Sequence, residues 1–206
     1  MSTKPHGIRR RVRVFVASPG DVPEERDALR IVVEELRRTI GDSNLIDLEL
    51  VRWETHTWPD MGADAQDVIN REIGTYDIFV GVMWRKLGTP TRRADSGTVE
   101  EFDRAVRYNK KYGRPKIMFY FRTAPFYTES SEEVDQFKKV LAFKSKLRTA
   151  GALYWQHSTP LDFERLVREH LIRQISVVAE EIRQEAGFPR RARKNGSMKG
   201  SRGGRR

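Results

Sequence analysis

The stretch YDIFVGVMW, residues 76–84, is the most continuous apolar run in the chain, and its reading decides the fold. A run of this kind, without polar alternation, is the pattern of a central strand in a parallel sheet covered on both faces. RVRVFVAS (11–18) alternates and then becomes apolar before Pro19-Gly20 stops it, and PKIMFYF (115–121) repeats the buried pattern. NLIDLELVRWE (44–54) sets Ile46, Leu48 and Leu50 against Leu45, Asp47 and Glu49, so it predicts an edge strand with one wet face. A short strand at ALYWQ (152–156) completes five.

Helical patterns separate the strands. Asp21 is placed to cap a helix with Pro23 in its first turn and Glu24 and Glu25 against its dipole; Leu29, Val32, Val33, Leu36 and Ile40 form its apolar face, and Gly41 ends it. Further helices are expected over 63–73, 98–111, 131–149 and 160–186. Strands alternating with helices imply parallel pairing with right-handed crossovers. The expected architecture is therefore α/β: a flavodoxin-like three-layer sandwich with a five-stranded parallel sheet in the order 2-1-3-4-5. Its domain spans 12–187, between a basic extension over 1–11 and a basic, disordered tail over 188–206.

The 206 residues suffice for one domain with a core, and there is no cysteine, which excludes disulfides, thiolate metal sites and cysteine nucleophiles. Without disulfides, a secretory signal or an apolar run long enough to span a bilayer, the expected location is the cytoplasm. The net charge of +10 belongs to the ends. Residues 1–13 hold five Lys or Arg and residues 189–206 hold eight, with no acid in either, whereas 14–188 carry 26 bases against 29 acids. Such a tail either contacts nucleic acid or acidic lipid nonspecifically or serves solubility alone.

In a sheet of this order, ligands sit beyond the carboxyl ends of the strands near the switch point, where 18–26, 84–96 and 97–101 should converge. ADSGTVEEFDRAV (94–106) lies there. Thr98 with Glu101 matches a capping box, and Ser96 is the other available cap. A carboxylate at that mouth also suits hydrogen bonding to a ribose or stabilising an oxocarbenium-like centre as an N-glycosidic bond breaks. Glu100 and Glu101 are about 100° apart on the helix, so one of them should point at the cleft and the other outward. Trp84, Arg85 and Gly88 follow the central strand, where a base stacks and a pyrophosphate is held, or where a Trp simply closes the core. Ser18 and Asp21 are placed to line the same pocket; Glu25 and Arg26 read as servants of the first helix. His6, His56, His157 and His170 are scattered without metal-ligand spacing, so no metal or cofactor is expected. P-loop, dinucleotide-binding and G-x-S-x-G signatures are absent. RTAPFYTESSEEVDQF (122–137) is either a lid or a loop leading to a helix capped by Ser130 or Ser131.

VRVFVASPGDVPEERDAL (12–29), YDIFVGVMWRKLGTP (76–90) and SGTVEEFDRA (96–105) together resemble the TIR-like domain of unknown function at the N-terminus of STAND-type signalling ATPases. The resemblance implies a relation to TIR domains, whose enzymatic members cleave NAD at the nicotinamide ribosyl bond with one Glu. DSGTVEEFDRA (95–105) also resembles the nucleophile segment of nucleoside 2-deoxyribosyltransferases, and both correspondences fall on Glu101. They imply an NAD N-glycosidase with Glu101 as catalytic carboxylate and Ser18, Asp21, Trp84, Arg85 and Thr98 around the nucleotide. The alternative they leave is a non-catalytic nucleotide-binding or protein-interaction module. Self-association, or a separate sensor protein replacing the ATPase and repeat domains that follow in the STAND proteins, is the implied partner.

Overall fold

The computed structural model describes residues 10–41, 46–52, 75–149 and 152–185. In chain order these form β1 (Arg10–Ala17), α1 (Pro23–Leu36), β2 (Ile46–Val51), β3 (Ile78–Met83), α2 (Gly97–Tyr112), β4 (Lys116–Arg122), α3 (Ser131–Thr149), β5 (Trp155–His157) and α4 (Pro160–Glu185). A wide turn, Arg37–Gly41, closes α1. The helix expected over 63–73 and the tail over 188–206 lie outside the described residues, as do His6 and His56. β1 already includes Arg10 and Arg11, which pair with Ile46 and Asp47 of β2.

All four strand pairings are parallel and the order is β2-β1-β3-β4-β5, the flavodoxin-like arrangement. Every residue of β3 is buried, because β3 pairs on both edges and is covered on both faces. β2 keeps the half-wet alternation of an edge, with Ile46, Leu48 and Val51 buried. The last strand is shifted from its expected place: Leu153 is 80% exposed, and pairing begins only at Trp155 opposite Tyr120.

Two cores result. On one face Val12, Val14 and Val16 pack with Leu29, Val32, Val33 and Leu36 of α1 and with Phe163, Val167, Leu171 and Ile175 of α4. On the other, Phe15, Phe79, Phe119 and Phe121 meet Val99, Phe102 and Ala105 of α2 and Val140, Phe143 and Leu147 of α3. Phe102 stands edge-on to Phe119, with centroids 5.6 Å apart, and to Phe143 at 5.4 Å. This aromatic cluster fixes α2 on the sheet. It needs Gly81, since a Cβ there would lie 2.3 Å from Phe119 Cε2.

Candidate functional site

The three segments expected to converge beyond the carboxyl ends of β1 and β3 do so. Asp21 Oδ2 accepts from the backbone N–H groups of Arg85 and Lys86, both at 3.0 Å, tying the first loop to the third. The helix cap expected of Asp21 is thereby corrected: α1 starts after Val22 with no side-chain cap, because the Asp21 carboxylate is engaged across the mouth. Gly88 adopts φ 110°, a conformation open to glycine, and sits so close to Ser96 and Pro19 that a Cβ would meet their Cβ atoms at 3.3 and 3.9 Å. The Gln136 Oε1 of α3 accepts from Leu87 N–H at 3.0 Å and from Gly88 N–H at 3.4 Å. The backbone N–H groups of Arg85, Lys86, Leu87 and Gly88, where a pyrophosphate was expected, are thus occupied by Asp21 and Gln136.

Ser96 caps α2. Its backbone is extended (φ −165°) and its buried hydroxyl oxygen accepts the Val99 N–H at 3.2 Å, while Thr98 lies inside the helix, 6% exposed. Ser96→Ala is therefore expected to cost about 1 kcal/mol, read as a fall in melting temperature of about 2–4 °C; Thr98→Ser should leave the cap intact.

Glu100 and Glu101 are both 7% exposed, which corrects the expectation that one of them faces outward. The loop before α2 folds back over the first turn. There Thr91 Oγ1 donates to Glu100 Oε2 at 2.7 Å and Arg93 Nε donates to Glu100 Oε1 at 2.7 Å. Glu100 thus holds its own loop. Near Glu101, the pKa of the Tyr76 phenol is raised above the usual range, first by burial; the Arg104 charge opposes this and the Glu101 charge adds to it. Tyr76 stacks on Phe15 at 4.8 Å and lies 6.3 Å from Phe79. Of the cavities near this end, one of about 410 Å³ is lined by Pro19, Gly88, Glu132, Glu133 and Gln136, and one of about 290 Å³ by Arg93, Glu100, Asp103 and Arg107; Glu101 lines neither.

Ser18 is half-buried, and its Oγ accepts from Arg26 Nη1 at 3.4 Å; the same nitrogen donates to the Pro19 carbonyl at 3.0 Å. Arg26 therefore braces the first loop. Trp84 donates its indole N–H to the Ala124 carbonyl at 3.0 Å and packs edge-on to Phe126. The guanidinium groups of Arg85 and Arg122 lie 4.7 and 4.3 Å from its ring centroid. The π surface expected to receive a base is already engaged by two cations of the chain itself. The segment before α3 rests on Trp84 through Phe126, and Ser130 caps α3 by accepting from Glu133 N–H.

Sequence reasoning missed a buried charged cluster at the far side of the mouth. Glu25, fully buried in the first turn of α1, accepts from Arg122 Nη1 at 3.2 Å and from His157 Nε2 at 3.3 Å. Arg122 also reaches Glu24 at 3.1 Å. Burial by itself raises the Glu25 pKa, but the His157 hydrogen bond, a backbone hydrogen bond and the charges of Arg122 and His157 outweigh it and hold the carboxyl below its ordinary 4.5. Glu25 Oε2, Arg122 Nε and His157 Nδ1 are buried without a hydrogen-bond partner among the described residues. The signal in the sequence was slight: one acid in a helix start and two ionisable residues at the ends of distant strands.

Among the described residues no three His, Asp or Glu side chains converge as metal ligands, and no helix is long and apolar enough to cross a membrane. Residues 13–172, which take in nearly all of the sheet and the first half of α4, match the model of a protein family described as Domain of unknown function (DUF4062). Among curated proteins, none matches the chain.

Proposed function

The chain belongs to the DUF4062 family, whose description carries no activity; from the resemblance of its motifs to TIR domains, together with the burial of Glu101, we propose a TIR-like nucleotide-processing module with Glu101 as its working carboxylate. One observation carries this reading. Glu101 is 7% exposed near the start of α2, and a carboxylate so withdrawn from water costs free energy to hold there, which makes it a functional-site candidate. A carboxylate so placed, in a helix packed on the central strand, suits the stabilisation of positive charge at a sugar C1′.

The substrate class proposed is a dinucleotide with a cationic leaving group, NAD or a relative. The C1′–N bond breaks with its electron pair passing to the pyridinium nitrogen, so nicotinamide leaves neutral without prior protonation. Glu101 stabilises the oxocarbenium carbon; water then adds at C1′ and gives its proton to the carboxylate or to solvent. Ser18, Asp21, Trp84, Arg85 and Thr98 shape the neighbourhood, Asp21 by holding the Arg85–Lys86 backbone. Action in the cytoplasm in signalling or defence, with self-association or a separate sensor protein as the switch, belongs to the same proposal.

Incubation of purified chain with NAD at low and high protein concentration tests it, with nicotinamide release as the measurement. Release is expected to fall about 100-fold or more in Glu101→Gln, with thermal stability retained, while Glu100→Gln keeps the rate within about tenfold. No release at any concentration would sink the enzyme. A second reading, an interaction module without turnover, is favoured by the occupied amides of Arg85–Gly88 and the engaged Trp84 ring.

A further inference from the structure

At the opposite, amino end of the sheet lies a cavity of about 390 Å³ whose described lining contains three tyrosines, five arginines and a single carboxylate, Asp77. Helix α2 supplies one wall through Tyr108 and Tyr112, four residues apart and therefore on one face. The first strand supplies Arg10, Arg11 and Arg13, and the segments leading into β3 and β4 supply the rest. This frame is braced. Asp77 Oδ2 accepts the Arg13 backbone N–H at 2.9 Å, and Arg13 Nη1 donates to the Thr75 carbonyl at 2.6 Å. Asn109 Nδ2 donates to the Pro115 carbonyl at 2.9 Å, which joins α2 to the approach to β4. A cavity held by such contacts is formed before any ligand arrives.

The plainer account of this end is an ion-pair seam that stitches β1, β2 and α4 together. Arg13 pairs with Glu49 at 3.3 Å, Arg10 with Glu185 at 2.9 Å and Arg114 with Glu181 at 3.8 Å. The seam explains why arginines gather here but not the tyrosines. Tyr108 is 44% and Tyr112 58% exposed, with their rings 5.2 Å apart, so both leave ring surface in water where the cavity opens. Nor do the acids of the seam fill the cavity, since Glu49, Glu181 and Glu185 hold their arginines from outside its lining. A guanidinium carries five N–H donors. Arg10 gives one of them to Glu185, and Arg11 stands 4.0 Å from Asp47 and 3.7 Å from Glu49, beyond hydrogen-bond length. Both therefore retain donors for an anion inside the cavity.

We propose that this cavity binds a small aromatic phosphate of the nucleoside monophosphate class, its base against Tyr108 and Tyr112 and its phosphate held by Arg10 and Arg11. A base presents a flat π face to a tyrosine ring, and a guanidinium fork matches the oxygens of a phosphate. The volume lies at the lower end of the roughly 300–1,000 Å³ of small-molecule pockets, which suits one nucleotide and not two joined. Asp77, the one acid of the lining, is engaged by the Arg13 amide and lies 3.9 Å from Arg114, so it adds little repulsion toward the phosphate. The cavity is separate from the carboxyl-end site and its binding requires no turnover, so it stands or falls independently of the glycosidase reading.

Isothermal titration calorimetry of the full chain with AMP, adenosine and inorganic phosphate tests the assignment. AMP is expected to bind about tenfold or more tightly than either adenosine or phosphate, because only AMP carries both the ring and the charge. The double variant Tyr108→Ala/Tyr112→Ala should weaken AMP about tenfold or more, with Phe at both positions restoring it. Arg10→Gln/Arg11→Gln should bring the affinity for AMP down toward that for adenosine and leave adenosine itself unchanged. All four side chains are largely exposed, and circular dichroism with thermal unfolding verifies the fold of each variant. The proposal is overturned by no AMP binding at millimolar concentration, by adenosine bound as tightly as AMP, or by AMP affinity that the tyrosine changes leave alone. It is equally overturned if AMP binding survives both double variants and is lost in Arg85→Gln, which would put the nucleotide at the carboxyl end.

Discussion

Glu25→Leu is expected to destabilise the fold by about 3–5 kcal/mol, because it leaves the largely buried Arg122 guanidinium and the buried His157 without the carboxylate that holds them. Glu25 is fully buried and joins three elements: its own helix α1, the end of β4 through Arg122 and the end of β5 through His157. The remaining acid, Glu24, has a side chain 63% exposed and offers Arg122 only a solvent-screened partner. Thermal unfolding should show a fall in melting temperature on the order of 10 °C. The double variant Glu25→Leu/Arg122→Met should recover a large part of that loss, since replacing both partners of a buried pair by apolar groups removes the stranded charge. If the double variant is as unstable as the sum of its two single changes, the pair is not the unit that matters.

The same cluster sets a pH dependence with a definite sign. The ionised Glu25 carboxylate is the form the fold favours, and its folded-state pKa lies below the ordinary 4.5. Its contribution is therefore fully present above about pH 4.5 and is lost as the pH falls through the folded-state value. Denaturant unfolding between pH 3 and 6 should show this acid limb in the parent chain and a shallower one in Glu25→Gln.

What could be read from residues alone follows the range over which each residue acts. Apolar runs at 76–84 and 115–121 specify buried strands locally, and the half-wet pattern of β2 specifies an edge, so the strand order came within reach. β5 was misplaced because its most apolar neighbours, Leu153 and Tyr154, precede the pairing, which depends on the register of β4. The Glu25–Arg122–His157 cluster was illegible because its members lie 97 and 132 residues from Glu25 and meet only when β4 and β5 dock. Asp21 looked like a cap because its sequence neighbours describe a helix start; its partners, the amides of Arg85 and Lys86, lie more than sixty residues away. Glu100 and Glu101 were separable in direction by helix geometry, yet both are buried, since nothing local announces that Thr91 and Arg93 fold back over the first turn.

Gly81→Ala is expected to cost about 3 kcal/mol, at the upper end of overpacking, although it adds a single methyl to the middle of a strand. The position does not require glycine for its backbone. It requires the absence of a Cβ, because Phe119, its register partner on β4, lays its ring across the site, with Cε2 at 2.3 Å and Cδ2 at 2.4 Å from where the Cβ would be. A ring in that place yields only if its neighbours yield, and Phe119 is packed by Phe102 at 5.6 Å, Phe143 at 5.4 Å and Phe121 at 5.0 Å. The strain is therefore passed to Phe102, the residue after Glu101, and through it to the seating of α2 on the sheet. Two measurements separate this account from a loss of strand propensity. Gly81→Ala combined with Phe119→Leu should unfold at higher denaturant than Gly81→Ala alone, because the smaller side chain vacates the volume the methyl needs. Any nicotinamide-releasing activity should fall in Gly81→Ala even at temperatures where the chain remains folded, since a displacement of about 1 Å at a working group costs on the order of 100-fold in rate.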